Sequence, residues 1–401
     1  MDDGQLAEIA AWATNVGLAG QNEAAMVNEF CERLVALGMP LARGRVFINT
    51  LHPVYAGRAY FWQAGKGQKI ATEYGPALEG EALERWKRSP FYNMVETGSA
   101  TLRRRVTAES GAEFPCLGDL HGAGMTDYFA VIDRFGADAV MSEKDGVYSS
   151  WASDAPQGFT EDDIATLRRL TPYLALAVKS AARGRIAKTL VETYLGRDPG
   201  RRVLEGSITR GKSTVIEAVL WLSDLRGYTS ICDRMPPNEI IPFLNDYAEM
   251  VISAIHGEGG DVLKLIGDGT LAIFTGEDRT AACRSALAAA RAAFAQIAAL
   301  KERRSAGGLP ATDLYLGLHL GEVVYGNFGS RERLDFTVVG PAVNEVSRIA
   351  EMCGQLDQPI LASSAFFAAL GAEKDRLVSV GRYALRGVGQ PQDLYTLDRT
   401  R

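Results

Sequence analysis

The stretch Val262–Phe274, VLKLIGDGTLAIF, limits what its part of the chain can become more than any other. Two apolar runs flank Gly267-Asp268-Gly269. That pattern predicts two strands joined by a tight turn, with Asp268 in the turn. Further upstream, WLSDLRGYTS places Asp224 at the end of an apolar strand, Val215–Ser223, before a turn containing Gly227. A strand end beside a hairpin turn brings two carboxylates to one sheet edge. Two carboxylates there can clamp two hard cations for phosphoryl-type chemistry. Taken alone, Asp-Gly is also a plain turn pair.

A third segment, ERLDFTVVGPAVNEVSRIAEM, places Asn344 and Arg348 four residues apart, on one face of a helix starting near Ala342. An amide and a guanidinium on one face can orient a sugar and neutralise phosphate charge. A solvated helix face is the plain alternative. Around these segments the chain predicts a helix near Asn238–Ile255, an Ala-rich helix over 278–301, and strands at 313–320, 322–328 and 334–339. A short strand, a helix and a final hairpin follow. This order fits an α+β, ferredoxin-like palm.

SDLRGYTS, KLIGDG and FTVVGPAVNEVSR, in this order and spacing, resemble the catalytic domain of class III nucleotide cyclases over about residues 214–398. The resemblance implies conversion of ATP to 3′,5′-cyclic AMP and pyrophosphate with two Mg²⁺ or Mn²⁺ ions per site. It implies Asp224, Asp268 and the Leu225 carbonyl as metal ligands. The turn Arg226, Gly227, Tyr228 and Thr229 would present backbone N–H groups to the triphosphate. Lys264 matches the purine-reading position, and Thr337 matches a second one, which is Asp in mammalian adenylate cyclases. Asn344 matches the ribose-orienting amide, and Arg348 matches the transition-state arginine. Arg386 stands where the family has a terminal-phosphate lysine. Val346 replaces the usual Ala, and Pro341-Ala342 follow Gly340. The family builds its sites between two head-to-tail domains, which implies a homodimer with Asp224 and Asp268 from one chain and Lys264, Thr337, Asn344, Arg348 and Arg386 from the other. Lys264 is donor-only and Thr337 can accept, a pair suited to adenine. A guanylate cyclase, whose family positions typically hold Glu and Cys, and a silent sensor or scaffold are the competing readings.

Two other patterns point elsewhere. Gly206-Ser-Ile-Thr-Arg-Gly-Lys-Ser213 satisfies the P-loop spacing, but it runs into the apolar strand rather than a helix. Asp224 at that strand's far end would lie about 35 Å from Ser213. GEGGD at 257–261 resembles a diguanylate cyclase loop, yet Val262-Leu263 follow in place of Glu-Phe.

The front of the chain predicts a helix through Leu6, Ile9, Trp12, Ala13 and Val16, then a second through Met26, Phe30, Leu34 and Leu37, closed by Gly38. Strands are expected at Arg45–Leu51, Arg58–Ala64, Tyr128–Asp133 and Asp138–Trp151, the last folded at Asp145-Gly146. Thr160-Glu-Asp-Asp163 is a capping box for a long exit helix. Its stripe runs through Ile164, Leu167, Leu170, Leu174 and Val178, with Pro172 a candidate kink. Over residues 20–185 this order resembles GAF-like sensory domains, which implies an unknown small-molecule or protein input and dimerisation through the exit helix. A plain dimerisation module is the alternative. The division expected is therefore 1–185 sensory, 186–213 a Gly-, Arg- and Ser-rich linker, and 214–401 catalytic.

A net charge of −6 argues against a general nucleic-acid binder. No apolar run reaches the roughly 18 residues of a membrane span, and the start has no secretory pattern. Five scattered cysteines without a CxxC fit reduced thiols. A cytoplasmic location is the expectation.

Overall fold

A computed structural model describes all residues except 51, 53–54, 76–79, 137–145 and 399–401. The chain divides into two units, Met1–Leu190 and Val191–Arg401.

The first unit opens with α1 (Asp3–Leu18) and α2 (Glu23–Ala36). The strands β1 (Arg43–Asn49), β2 (Gly57–Gln63) and β3 (Gly67–Tyr74) follow, then α3 (Gly80–Lys87), α4 (Pro90–Glu96) and β4 (Thr101–Arg105). Next come α5 (Ser110–Glu113), α6 (Pro115–Gly122), β5 (Asp127–Arg134), β6 (Gly146–Ser153) and α7 (Glu161–Leu195). The strands form one antiparallel sheet in the order β3-β2-β1-β6-β5-β4. Alternation assigns Val46, Tyr60, Trp62, Phe129 and Trp151 to a core shared with α1, α2 and α7. Phe47, Tyr128, Ala130 and Tyr148 point into a second core with α4 and α6.

The expected capping box forms: the Thr160 amide donates to Asp163 Oδ2 at 2.8 Å, and the Asp163 amide donates to Thr160 Oγ1 at 3.1 Å. The stripe Ile164, Leu167, Leu170, Leu174 and Val178 is buried. Pro172 does not end α7, which runs unbroken for 35 residues. The helix also passes residue 185, and a further helix, α8 (Arg197–Leu204), follows at once. Much of the stretch expected as a linker is thus helical. Of its glycines only Gly200 lies within a helix, while Gly196, at φ +92°, separates α7 from α8. The strand expected from Asp138 is described only from Gly146, and Asp145 of the expected turn lies outside the described residues, as does Leu51.

In the second unit, α8 leads to β7 (Ser213–Leu225), α9 (Tyr228–Cys232), α10 (Pro237–Gly257), β8 (Asp261–Ile266) and β9 (Gly269–Phe274). Then come α11 (Arg279–Ala306), β10 (Leu314–Gly329), β11 (Leu334–Val339), α12 (Pro341–Leu356), β12 (Ile360–Ser363) and α13 (Ser364–Ala369). A 3₁₀ turn, Gly371–Arg376, precedes β13 (Leu377–Tyr383) and β14 (Gln392–Leu397). The sheet order is β13-β14-β12-β10-β7-β9-β8, with β11 paired to β10. The two strands expected at 313–320 and 322–328 are one 16-residue strand, β10. Gly321 extends it without a turn because it pairs in register with Ala218 of β7.

Strand β7 lies inside the sheet, between β10 and β9. Val219, Trp221 and Leu225 pack with α10 and α11, while Ala218 and Leu220 pack in a separate cluster with Val346 of α12. Helix α12 sits close to β10: a Cβ on Gly317 would lie 2.8 Å from the Ala350 amide. Only glycine allows that backbone contact.

Candidate active site

The hairpin expected at Asp268 forms. Ile266 pairs with Gly269, so Gly267-Asp268 is a two-residue loop. Gly267 has φ +62°, the conformation that such a loop asks of glycine. Strand β9 also pairs with β7, placing Thr270 opposite Ser223. The loop therefore lies beside the end of β7, where Asp224 and Leu225 sit. Gly269 makes this approach possible. A Cβ there would lie 2.9 Å from the Ser223 carbonyl oxygen and 3.9 Å from the Asp224 Cβ.

The two acidic segments are joined directly: the Leu225 amide donates to Asp268 Oδ2 at 3.0 Å. Partial removal from water, and then the Asp268 carboxylate, push the Asp224 carboxyl up to about 6. No cation side chain compensates that pair among the salt bridges of the described residues. The donors are hard oxygens, two carboxylates and the nearby Leu225 carbonyl, and they suit magnesium or manganese. Among the described residues no group of three or more His, Cys, Asp or Glu side chains could hold a metal. Two carboxylates would leave coordination positions that a nucleotide's phosphate oxygens could fill.

The turn after β7 differs in part from its expected role. The Arg226 amide is already spent on the Asp313 carbonyl, at 2.9 Å. Its guanidinium reaches Asp357 at 3.1 Å. Gly227 has φ +67° and leads into α9. The Ile231 amide donates to the Gly227 carbonyl at 3.2 Å. The amides of Tyr228 and Thr229 stand in the first turn, where a helix leaves N–H groups unpaired.

Lys264 lies on β8, past an irregularity in its pairing with β9. It forms an ion pair with Asp335 of β11. Thr337 is buried two residues further along β11, so it shares a strand face with Asp335. Sequence reasoning missed Asp335. The same-face spacing to Thr337 was the available signal. On α12, Asn344 is exposed and Arg348 binds both oxygens of Glu351, at 2.6 and 2.8 Å. Arg386 is exposed in the β13–β14 connection. Among the described residues no hydrogen bond or ion pair links Lys264, Thr337, Asn344, Arg348 or Arg386 to Asp224 or Asp268. Ser213 of the P-loop-like run is the first residue of β7, not of a helix.

The sequence profile of the adenylate and guanylate cyclase catalytic domain matches residues 213–399. Those residues form a class III nucleotide cyclase catalytic domain. An adenylate cyclase of Anabaena cylindrica is 35% identical to this chain over 155 residues, 39% of this chain and 31% of that protein. The chain spans about a third of the length of the first curated relatives it matches. Among solved structures, an adenylyl cyclase from P. aeruginosa is 22% identical with a TM-score of 0.43, covering 47% of this chain and 97% of that one. A solved guanylyl cyclase is 27% identical with a TM-score of 0.41, covering 47% and 94%. The cyclase domain contains the paired aspartates, Lys264 with Asp335, and the Asn344–Arg348 helix face within the matched span.

Proposed function

We propose that the cyclase domain converts ATP to 3′,5′-cyclic AMP and pyrophosphate. The observation that carries the adenine assignment is Lys264 set against the acceptors of β11. Its ammonium can donate to adenine N1, while Thr337 can accept from the N6 amino group. Guanine would offer N1–H to a group that cannot accept, so a donor-only side chain there disfavours it.

Two divalent cations, when bound, would supply the Lewis acidity that activates the ribose 3′-hydroxyl and neutralises the triphosphate. Asp224, Asp268 and the Leu225 carbonyl would hold them. Asn344 would orient the ribose for in-line attack on the α-phosphorus. Arg348 would meet the charge growing on the phosphoryl oxygens once it leaves Glu351. Arg386 would bind the terminal phosphate. Thr229 and its neighbours would add backbone N–H groups.

A site built in this way needs both residue sets near one nucleotide. In line with the resemblance to class III cyclases, the two sets would come from two copies, as a homodimer with two equivalent sites. Residues 1–185 would be an input domain of GAF-like type that biases how the two cyclase domains face each other. Among the described residues no helix is long and apolar enough to cross a membrane, and we place the protein's work in the cytoplasm.

The test is cyclic nucleotide production by the full-length protein from ATP or GTP, with magnesium or manganese, beside Asp268→Ala. Cyclic AMP that disappears in the variant supports the proposal. Cyclic GMP as the main product would replace it with a guanylate cyclase. No product from either nucleotide, from the full chain or from residues 200–401 alone, would leave a scaffold.

A further inference from the structure

The cation-facing end of β7 is held from behind by residues outside the groups assigned above. Arg226 follows Leu225 directly. Its amide donates to the Asp313 carbonyl at 2.9 Å. This continues the β7–β10 ladder one step past the pairing of Leu225 with Leu314. The Arg226 carbonyl accepts from the Thr312 hydroxyl. Both backbone groups of residue 226 are therefore committed to two consecutive residues of the α11–β10 connection.

Thr312 is fixed in turn. Its amide donates to the Tyr247 hydroxyl at 2.7 Å, and that hydroxyl donates to the Thr312 carbonyl at 3.1 Å. Tyr247 is 1% exposed and Thr312 6%. Around them, Arg304 donates to the Pro310 carbonyl at 2.7 Å and pairs with Asp246, the neighbour of Tyr247. Lys301 pairs with Asp313 at 2.6 Å. The Arg304 guanidinium also lies over the Phe243 ring, 5.0 Å from its centroid, and Tyr228 stacks with Phe243. The loop behind the site is thus tied to α10 through Tyr247 and to α11 through Lys301 and Arg304.

A backbone carbonyl has no rotamer of its own, so its aim is set by its two flanking peptide units. On one side the Leu225 amide is bonded to Asp268. On the other, residue 226 is bonded to Thr312 and Asp313. Buried, mutually satisfied hydrogen bonds hold such a geometry more firmly than exposed ones. We propose that Thr312 and Tyr247 form a positioning clamp that aims the Leu225 carbonyl and the Asp224 carboxylate at the cation. The clamp thereby sets the cation affinity of the cyclase domain. Neither residue is among those assigned to the substrate or the cations. The inference rests on the reading of Asp224, Leu225 and Asp268 as cation ligands.

The test compares full-length wild type with Thr312→Val, which keeps the shape and removes the hydroxyl, Thr312→Ser, which keeps the hydroxyl, and Tyr247→Phe. Three quantities are read. They are amide hydrogen exchange of the 224–229 segment without metal, manganese binding by calorimetry, and the manganese concentration that half-saturates turnover. Losing one hydrogen bond should speed exchange in 224–229 and weaken manganese binding roughly threefold to tenfold in Thr312→Val and Tyr247→Phe. Exchange in 215–222 should not change, and Thr312→Ser should match wild type. Wild-type exchange and binding in Thr312→Val overturn the clamp. So does a Thr312→Ser protein as impaired as Thr312→Val, or faster exchange along all of β7. If wild type binds manganese but makes no cyclic nucleotide, the cyclase assignment fails while exchange and binding still judge the clamp. If wild type binds no manganese, with or without a nucleotide, the clamp's role toward a cation is refuted.

Discussion

Lys264 on β8 is ion-paired with Asp335 on β11, 71 residues further along the chain. The ammonium chosen for reading the purine is thus already oriented by a carboxylate. Their side chains are 37% and 33% exposed, so solvent screens the pair and its contribution to stability is under about 1 kcal/mol. Asp335→Asn should therefore leave the melting temperature within a few degrees of wild type. It should lower kcat/KM for ATP roughly threefold to tenfold, the value of one oriented hydrogen bond. Lys264→Glu should lower it by about 100-fold or more, since a positively charged donor is replaced by a charge of opposite sign. Steady-state kinetics with ATP, beside thermal melts, check both.

Asp224 provides a pH signature. Its carboxyl is pushed up to about 6 by partial burial and by Asp268. Raised in the fold, this group stabilises the metal-free protein fully only below its ordinary value, and that contribution is lost as pH rises through about 6. Asp224→Asn should therefore raise the metal-free melting temperature at pH 8, and the gain should shrink as pH drops through 6. Cation binding needs the ionised form, so manganese affinity of wild type should fall about tenfold per pH unit below 6. Melts in chelator and calorimetry across pH 5–8 measure these.

Gly269 makes the carboxylates neighbours. Gly269→Ala would put a Cβ 2.9 Å from the Ser223 carbonyl. The hairpin must move away from β7, at about 1–3 kcal/mol of stability. Turnover should drop more than stability does, because the Leu225–Asp268 bond spans that same gap. Comparing denaturant midpoints with kcat separates the two effects.

Arg348 is assigned a role in the transition state alone. Arg348→Ala should lower kcat by about 100- to 1,000-fold with little change in KM for ATP. An equal rise in KM, seen in initial-rate kinetics, would place the arginine in ground-state binding instead.

Much of this was legible in local pattern. The apolar runs around Gly267-Asp268-Gly269 predict a hairpin, and β8 and β9 form one. The Thr160–Asp163 capping box and the α7 stripe formed as their spacing requires. These features depend on residues within a turn or two of each other, whose chemistry acts before any tertiary contact exists. Where packing competes with local preference, packing decided. Pro172 did not end α7, the stretch after residue 185 is helical as far as Leu204 apart from Gly196, and Gly321 lies within an unbroken β10.

The sequence by itself determined which side chains stand at strand ends, in tight turns and on one helix face, so Asp224, Asp268, Asn344 and Arg348 were candidates by spacing, and the resemblance to class III cyclases gave them their expected roles. Only the tertiary structure decided their partners. It paired Lys264 with Asp335, spent the Arg226 amide on Asp313, bound Arg348 to Glu351 and locked Thr312 between Tyr247 and Arg226. The physical reason is the range of the interactions. A turn or a helix face follows from periodicity along the chain, whereas most of these bonds join segments far apart in sequence. They exist only once the order of strands in the sheet has set which backbone lies beside which.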